Sequence, residues 1–411
     1  MTTAIPGRRI AAVAEEFGTP VWIYDAESIR GQIARLRQFD TVRFAQKACS
    51  NTHLLRLMRE QGVAVDAVSL GEIERALKAG YRPDGADDDP IVFTADLLDR
   101  ATLRRVAELG IPVNAGSPQM LEQLGEAAPG HPVWIRINPG FGHGHSRKTN
   151  TGGEQSKHGI WHEHLAESLA LVDRYRLDLI GFHMHIGSGV DYGHLEAVCE
   201  TMLKQVRISG RDIRAISAGG GLSVPYAAGQ PEVDTDRYFR IWDAARRELA
   251  AELGHPVRLE IEPGRFLVAG SGVLASEVRA QKPVGSNHFV LVDAGFNDLM
   301  RPAMYGSAHR VTVLRDGTPV DAPAIDTVLA GPLCESGDVF TQAPGGDVLP
   351  VPLPRVEIGD LAVFHDTGAY GASMSSTYNT RPLIPEVLVD GADTRLIRRR
   401  QTVEELLALE D

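Results

Sequence analysis

At 411 residues the chain exceeds a comfortable single domain, so two domains are expected. Hydrophobic residues make up 43% and charged residues 23%, the ordinary mix of a soluble globular enzyme. The formal net charge of −12 argues against nucleic acid or an anionic membrane as the main partner.

The opening stretch MTTAIPGRRIAAVAEEFG lacks the apolar core of a signal peptide, and no apolar run is long enough to span a membrane. Cys49, Cys199 and Cys334 are scattered without paired or metal-like spacing, which fits a reducing compartment. The expected location is the cytoplasm. PVWIYD reads as a strand with no obvious barrel role. From about residue 41 to 265, short apolar strands alternate with amphipathic helices. The strand candidates are VRFAQ, VAVDAV, IVFTAD, IPVNAG, VWIRIN, LIGFHMHIG, IRAISAG and VRLEIEP. In SLGEIERALKAG, Ser69 and Glu72 predict a capping box and Gly80 a helix stop. TDRYFRIWDAARRELAAELG is a second helix with apolar residues at helical spacing.

Roughly eight strand–helix units predict an α/β fold with a (β/α)₈ TIM barrel. A doubly wound sheet alternates in the same way but usually carries a Gly-rich turn after its first strand. Here the first strand ends in QKACSN. After about residue 270 the pattern becomes strands and turns, with Asp316-Gly317 a hairpin signal. The expected division is a barrel over 27–270 and a β domain, sandwich or barrel, built from 1–26 and 271–411.

Barrel active sites lie at the carboxyl ends of the strands, and the unusual residues fall there repeatedly. Lys47 ends the first strand. In isolation it reads as a surface lysine or as an amine available for imine chemistry. Asp66 ends the second strand, and His183 and His185 the sixth. The glycines of SAGGGLS, with those of GSG at Gly187, Ser188 and Gly189, could let backbone N–H groups approach a phosphate. His183 and His185 could form a metal pair, but no third ligand has suitable spacing; stacking on a flat cofactor is the better use. His143 and His145 sit in a glycine-rich loop. No metal is expected. Glu262, followed by Pro263 and Gly264, is costly to bury unless partnered. It could pair with Arg265 or hold a proton on a pyridine nitrogen.

Together these residues resemble the fold-type III, alanine-racemase-like pyridoxal-phosphate (PLP) decarboxylases. GFHMHIGSG, AGGGLSVPY, EPGRFLVA, GPLCESGDVF and DTGAYGASMSSTYNTRP are similar to the diaminopimelate decarboxylase branch of that family, over nearly the whole chain. The resemblance implies that Lys47 carries pyridoxal 5′-phosphate as an imine, that His185 stacks on its ring and that Glu262 pairs with its nitrogen. It places Ser188, Gly221, Gly264, Arg265 and Tyr370 around the cofactor, chiefly at its phosphate. Arg265, Arg301, Tyr305, Glu335 and Tyr370 match substrate-binding positions, and Cys334 the acid that protonates the carbanion. The implied reaction converts meso-2,6-diaminopimelate, at its D centre, to L-lysine and CO₂, the final step of bacterial lysine biosynthesis. The implied assembly is a homodimer whose CESGD segment completes the partner subunit's site. His158 departs from the phenylalanine that many relatives carry.

Rivals remain within and outside this class. Ornithine and arginine decarboxylases share the motifs, but their substrates have a purely cationic far end that gains nothing from Arg301. An alanine racemase would face the ring nitrogen with an arginine. A non-catalytic relative could lose Lys47 or Cys334, and both are present.

Overall fold

The structure, a computed structural model, describes residues 5–83, 90–142, 151–185, 187, 189, 191–227, 229–343 and 345–410. The chain divides into two compact units, Ile33–Ser223 with Glu232–Gly264, and Met1–Gln32 with Val224–Pro231 and Arg265–Asp411.

In chain order β1 (Val21–Asp25) comes first and belongs to the second of these units. The other unit contains β2 (Thr41–Ala45), β3 (Ala64–Ala67), β4 (Ile91–Ala95), β5 (Val113–Ala115) and β6 (Pro132–Asn138). It continues with the two-residue β7 (Ile160–Trp161), β8 (Asp178–His183), β9 (Ala215–Ser217) and β10 (Arg258–Ile261). Pairing runs β5-β4-β3-β2-β10-β9-β8-β6, and β6 pairs back to β5, so eight strands close into a barrel. All of these pairings are parallel. Strands covered on both faces are continuously apolar rather than alternating, and Phe44, Val65, Ile91, Val113, Ile135, Phe182, Ile216 and Leu259 are all buried.

The intervening helices are bounded by their own residues. Asp99, Ser117, Asp191 and Asp234 accept backbone N–H groups at helix starts. Ser69 likewise accepts from Glu72 N–H, and Gly80 closes that helix in the left-handed conformation. The reciprocal half of the expected capping box is absent. The Glu72 carboxylate reaches one residue further back, to Val68 N–H (2.8 Å), so it ties the helix to the end of β3.

The other unit holds a ten-stranded mixed sheet. Its strands after β1 are β11 (Gly272–Val284), β12 (Asn287–Val292), β13 (Val311–Arg315), β14 (Thr318–Pro319) and β15 (Ala324–Ala330), then β16 (Val351–Pro354), β17 (Leu361–Phe364), β18 (Glu386–Asp390) and β19 (Asp393–Arg398). β1 lies between β11, antiparallel, and β18, parallel. Its alternate residues Val21 and Ile23 pack with Val273, Ala275, Val363, Val387 and Val389. Ile10, Val13 and Ala14 of the amphipathic helix Gly7–Phe17 join that core. Asp316 and Gly317 both take positive φ between β13 and β14, as a two-residue hairpin of this type requires. β16, β18 and β19 were not anticipated from the sequence. No helix among the described residues is long and apolar enough to cross a membrane.

Candidate active site

In the barrel unit, the ends of β2, β3, β4, β8 and β10 carry ionisable residues, and the end of β9 a serine and a glycine run. Lys47 occupies a short turn, Gln46–Ala48, directly after β2. Its side chain is exposed, and no carboxylate among the described residues lies within ion-pair distance. Gly264 abuts this turn; a Cβ there would stand 3.2 Å from both the Ala45 carbonyl and the Ala48 Cβ.

Glu262 follows β10 and is buried. Its partner is His183 at the end of β8, whose Nε2–H donates to Oε2 (2.8 Å), and not Arg265. Ser217 Oγ approaches the other oxygen at 3.4 Å. Burial alone would push this carboxyl up. His183, Arg43 and Arg136 outweigh it and hold Glu262 below the ordinary range, so it is ionised at neutral pH. Asp66 behaves oppositely: burial, then the charge of Glu262, raises it well above its usual value, although Lys47 and Thr94 oppose the shift. Of the two neighbouring acids, the surroundings favour the protonated form at Asp66 and the ionised form at Glu262. Arg43 itself is spent on a buried ion pair with Glu260 (2.6 Å).

His185 lies just beyond β8. The Gly220 N–H donates to its Nδ1 (3.0 Å), which fixes the ring and leaves that nitrogen unprotonated. Desolvation, then the cations Arg136 and Lys47, hold it well below its ordinary pKa, so the ring is neutral. His183 and His185 therefore serve different partners and do not act as a pair. Gly221 has φ +107°, and a Cβ there would meet the Gly187 carbonyl at 2.6 Å. The Gly189 N–H donates to the Gly221 carbonyl (2.9 Å), tying the two glycine loops together. Ser188, His143 and His145 lie outside the described residues. His158 pairs with Asp96 at the end of β4, and the Gly159 N–H donates to the same carboxylate (3.0 Å).

The other unit contains a second cluster. Arg265 Nη1 donates to the Tyr226 hydroxyl (2.8 Å), and its guanidinium lies 5.0 Å from the Tyr370 ring centroid. Arg301 is buried at the start of the helix Arg301–Tyr305, with its guanidinium 4.4 Å from the Tyr226 ring centroid. Neither arginine has a carboxylate partner among the described residues. Burial, assisted by Arg265, pulls the Arg301 pKa below its usual value. Cys334 and Glu335 are exposed on a loop. The buried Asp338 accepts from Phe296 N–H and Leu333 N–H (2.7 Å each), and the Asn379 side chain accepts from Cys334 N–H (3.1 Å). Sequence reasoning did not single out Arg43, Arg136 or Tyr226.

A model of the pyridoxal-binding domain of pyridoxal-dependent decarboxylases matches residues 27–269. The diaminopimelate decarboxylase of Streptomyces coelicolor is 81% identical over 408 residues, covering 99% of this chain and 92% of that one. The chain belongs to the PLP-dependent decarboxylases, in the diaminopimelate decarboxylase family. A crystal structure of a diaminopimelate decarboxylase superimposes with a TM-score of 0.96 at 66% identity, covering 98% of this chain and 96% of that one. Another, from Helicobacter pylori in complex with L-lysine, gives 0.84 at 29% identity, with coverage of 98% and 99%.

Membership of this family of carboxy-lyases makes pyridoxal 5′-phosphate the cofactor. The residues present fit it. An exposed primary amine, a buried carboxylate kept ionised, a neutral ring with its edge fixed, and a glycine loop that a Cβ would obstruct meet the needs of its aldehyde, nitrogen, ring face and phosphate.

Proposed function

We propose that this chain decarboxylates meso-2,6-diaminopimelate at its D centre, yielding L-lysine and CO₂ in the final step of lysine biosynthesis. The observation that carries the reading is 81% identity to a diaminopimelate decarboxylase across nearly the whole chain, with Lys47, Glu262 and Cys334 all present.

When bound, PLP supplies the sink for the electron pair left as CO₂ departs. The protein's task is to hold it and to manage protons. Lys47 is the covalent anchor. Glu262, kept ionised by His183 and Arg136, would hold a proton at the cofactor's ring nitrogen, and His185, a neutral imidazole, would stack on the ring. Ser188, Gly221, the backbone of Gly264 and Arg265, and the Tyr370 hydroxyl would hold the phosphate. Cys334 delivers a proton to the carbon that has lost CO₂. At the substrate's far end, Arg301 with Arg265 and Tyr305 receives the carboxylate, Glu335 receives the ammonium, and Tyr370 completes the contacts. The absence of any carboxylate partner for the two arginines among the described residues supports a role in anion recognition.

The working form is a cytoplasmic homodimer in which each subunit's exposed Cys334–Glu335 loop completes the site of its partner. Along the sequence, residues 27–270 carry the cofactor-binding domain and 1–26 with 271–411 the β domain, although 27–32, 224–231 and 265–270 fall in the same compact unit as the β domain.

Substrate choice tests the proposal. Ornithine and arginine offer only a cation where Arg301 expects an anion, and a buried charged group left unpaired costs about 1–3 kcal/mol or more. CO₂ release from meso-diaminopimelate should therefore exceed release from L-ornithine or L-arginine by at least about tenfold to a hundredfold. Comparable rates would overturn the assignment.

A further inference from the structure

Buried arginines are ordinarily neutralised by carboxylates, but Arg301 is held differently. Its Nη1–H donates to His309 Nε2 at 2.9 Å, and its Nη2–H to Ser307 Oγ at 3.3 Å. The Tyr226 ring covers its face at 4.4 Å. His309 is locked from its other side, where Nδ1 meets the His365 carbonyl at 2.9 Å. A carbonyl can only accept, so the proton sits on Nδ1 and Nε2 offers a bare lone pair to Arg301. The Tyr226 and His309 rings also meet edge to face, with centroids 5.5 Å apart. His365 is anchored in turn through Nε2 to Thr312 Oγ1 at 2.9 Å.

The geometry points to His309 as a positioning residue for Arg301: it fixes the guanidinium with a neutral acceptor, leaving the positive charge uncompensated for the substrate's distal carboxylate. A carboxylate at position 309 would hold Arg301 equally well and cancel the charge it presents. A histidine whose tautomer is set by a backbone carbonyl holds it without that loss. Burial and the neighbouring Arg301 push His309 down to about 3, so the acceptor stays neutral throughout the working pH range. The inference rests on the reading that Arg301 receives the substrate.

The test compares His309→Gln, His309→Leu and His309→Glu in the PLP-loaded enzyme, measuring KM and kcat for meso-diaminopimelate and the visible absorbance of bound PLP. Gln keeps a neutral acceptor, and its KM should stay within about threefold of wild type. Leu removes the acceptor and Glu cancels the charge, so each should raise KM by about tenfold to a hundredfold with cofactor absorbance retained. In an Arg301→Ala background these differences should vanish, because the group being positioned is gone. Equal KM values for the Gln and Leu variants would overturn the inference, and that pair decides the matter if the Glu variant fails to fold. An Arg301→Ala enzyme with unchanged KM would instead remove the reading on which the inference rests.

Discussion

Around the barrel's strand ends, Glu262 takes a hydrogen bond from His183 in the field of Arg43 and Arg136, and Arg43 takes Glu260. In the β unit, Arg265 and Arg301 meet tyrosines, a serine hydroxyl and a neutral imidazole, and no carboxylate among the described residues. The difference matches the roles proposed for the two clusters. A cofactor's electronics must be set before substrate arrives, so the charge that sets them is stabilised from within. A site for an incoming anion must keep its charge uncompensated, and it tolerates the desolvation of a lone cation until the ligand supplies the partner.

Removing the proposed covalent anchor should break the comparison most severely. Lys47→Ala should lower CO₂ release about a thousandfold or more. Borohydride reduction of the wild-type holoenzyme should place a pyridoxyl group on the peptide containing FAQKACSN; a label on Lys157 would overturn that assignment. Mixing Lys47→Ala with Cys334→Ala subunits should restore about a quarter of wild-type activity, since random pairing makes half the dimers mixed, each with one intact site. No recovery after confirmed subunit exchange would place both residues in one chain's site.

The smallest effect concerns stability and sharpens the contrast from the side of acids. Asp298, in the β unit, is almost fully buried, and burial pushes its carboxyl up to about 7. The Gly295 N–H and the distant charges of Arg381 and Arg400 do not offset this as His183 and the arginines do for Glu262. The folded state keeps the Asp298 proton up to about pH 7, whereas the unfolded chain releases it near pH 4. The stability this proton contributes is therefore complete below about pH 4 and lost progressively as the pH rises towards 7. The Tm of Asp298→Asn relative to wild type should rise by about 2–4 °C between pH 4.5 and pH 7.5. A difference independent of pH would mean that Asp298 is already ionised.

Much of this was legible in the sequence because it rests on local signals. Short apolar runs announced the barrel strands, the Asp316-Gly317 pair announced its hairpin, and Glu262 at a strand end announced a carboxylate in need of a partner. The partner itself was not legible. Arg265 is three residues away and was the natural candidate, but the closed barrel brings β8 beside β9 and β9 beside β10, so His183 reaches Glu262 across 79 positions of sequence. Arg43 and Arg136 looked like ordinary strand residues, because nothing local shows which face of a barrel strand a side chain takes. Tyr226 and His309 lie in connecting segments where spacing carries no pattern. Their role appears only when an arginine is seen without its usual acid. The capping box failed more narrowly: Ser69 does cap its helix, but Glu72 was free to choose between two nearby N–H groups and took Val68.

The contrast between the two clusters is tested most directly by measuring kcat and KM for meso-diaminopimelate in Glu262→Gln and Arg301→Ala side by side. Glu262→Gln should lower kcat by about a hundredfold to a thousandfold, the usual scale for losing one preorganised electrostatic group, and leave KM within about threefold. Arg301→Ala should do the reverse, raising KM by about tenfold to a hundredfold with kcat within about threefold. If Arg301→Ala instead loses kcat at unchanged KM, or Glu262→Gln weakens substrate binding while turnover is preserved, the division between a cluster that sets the cofactor and one that reads the substrate is contradicted.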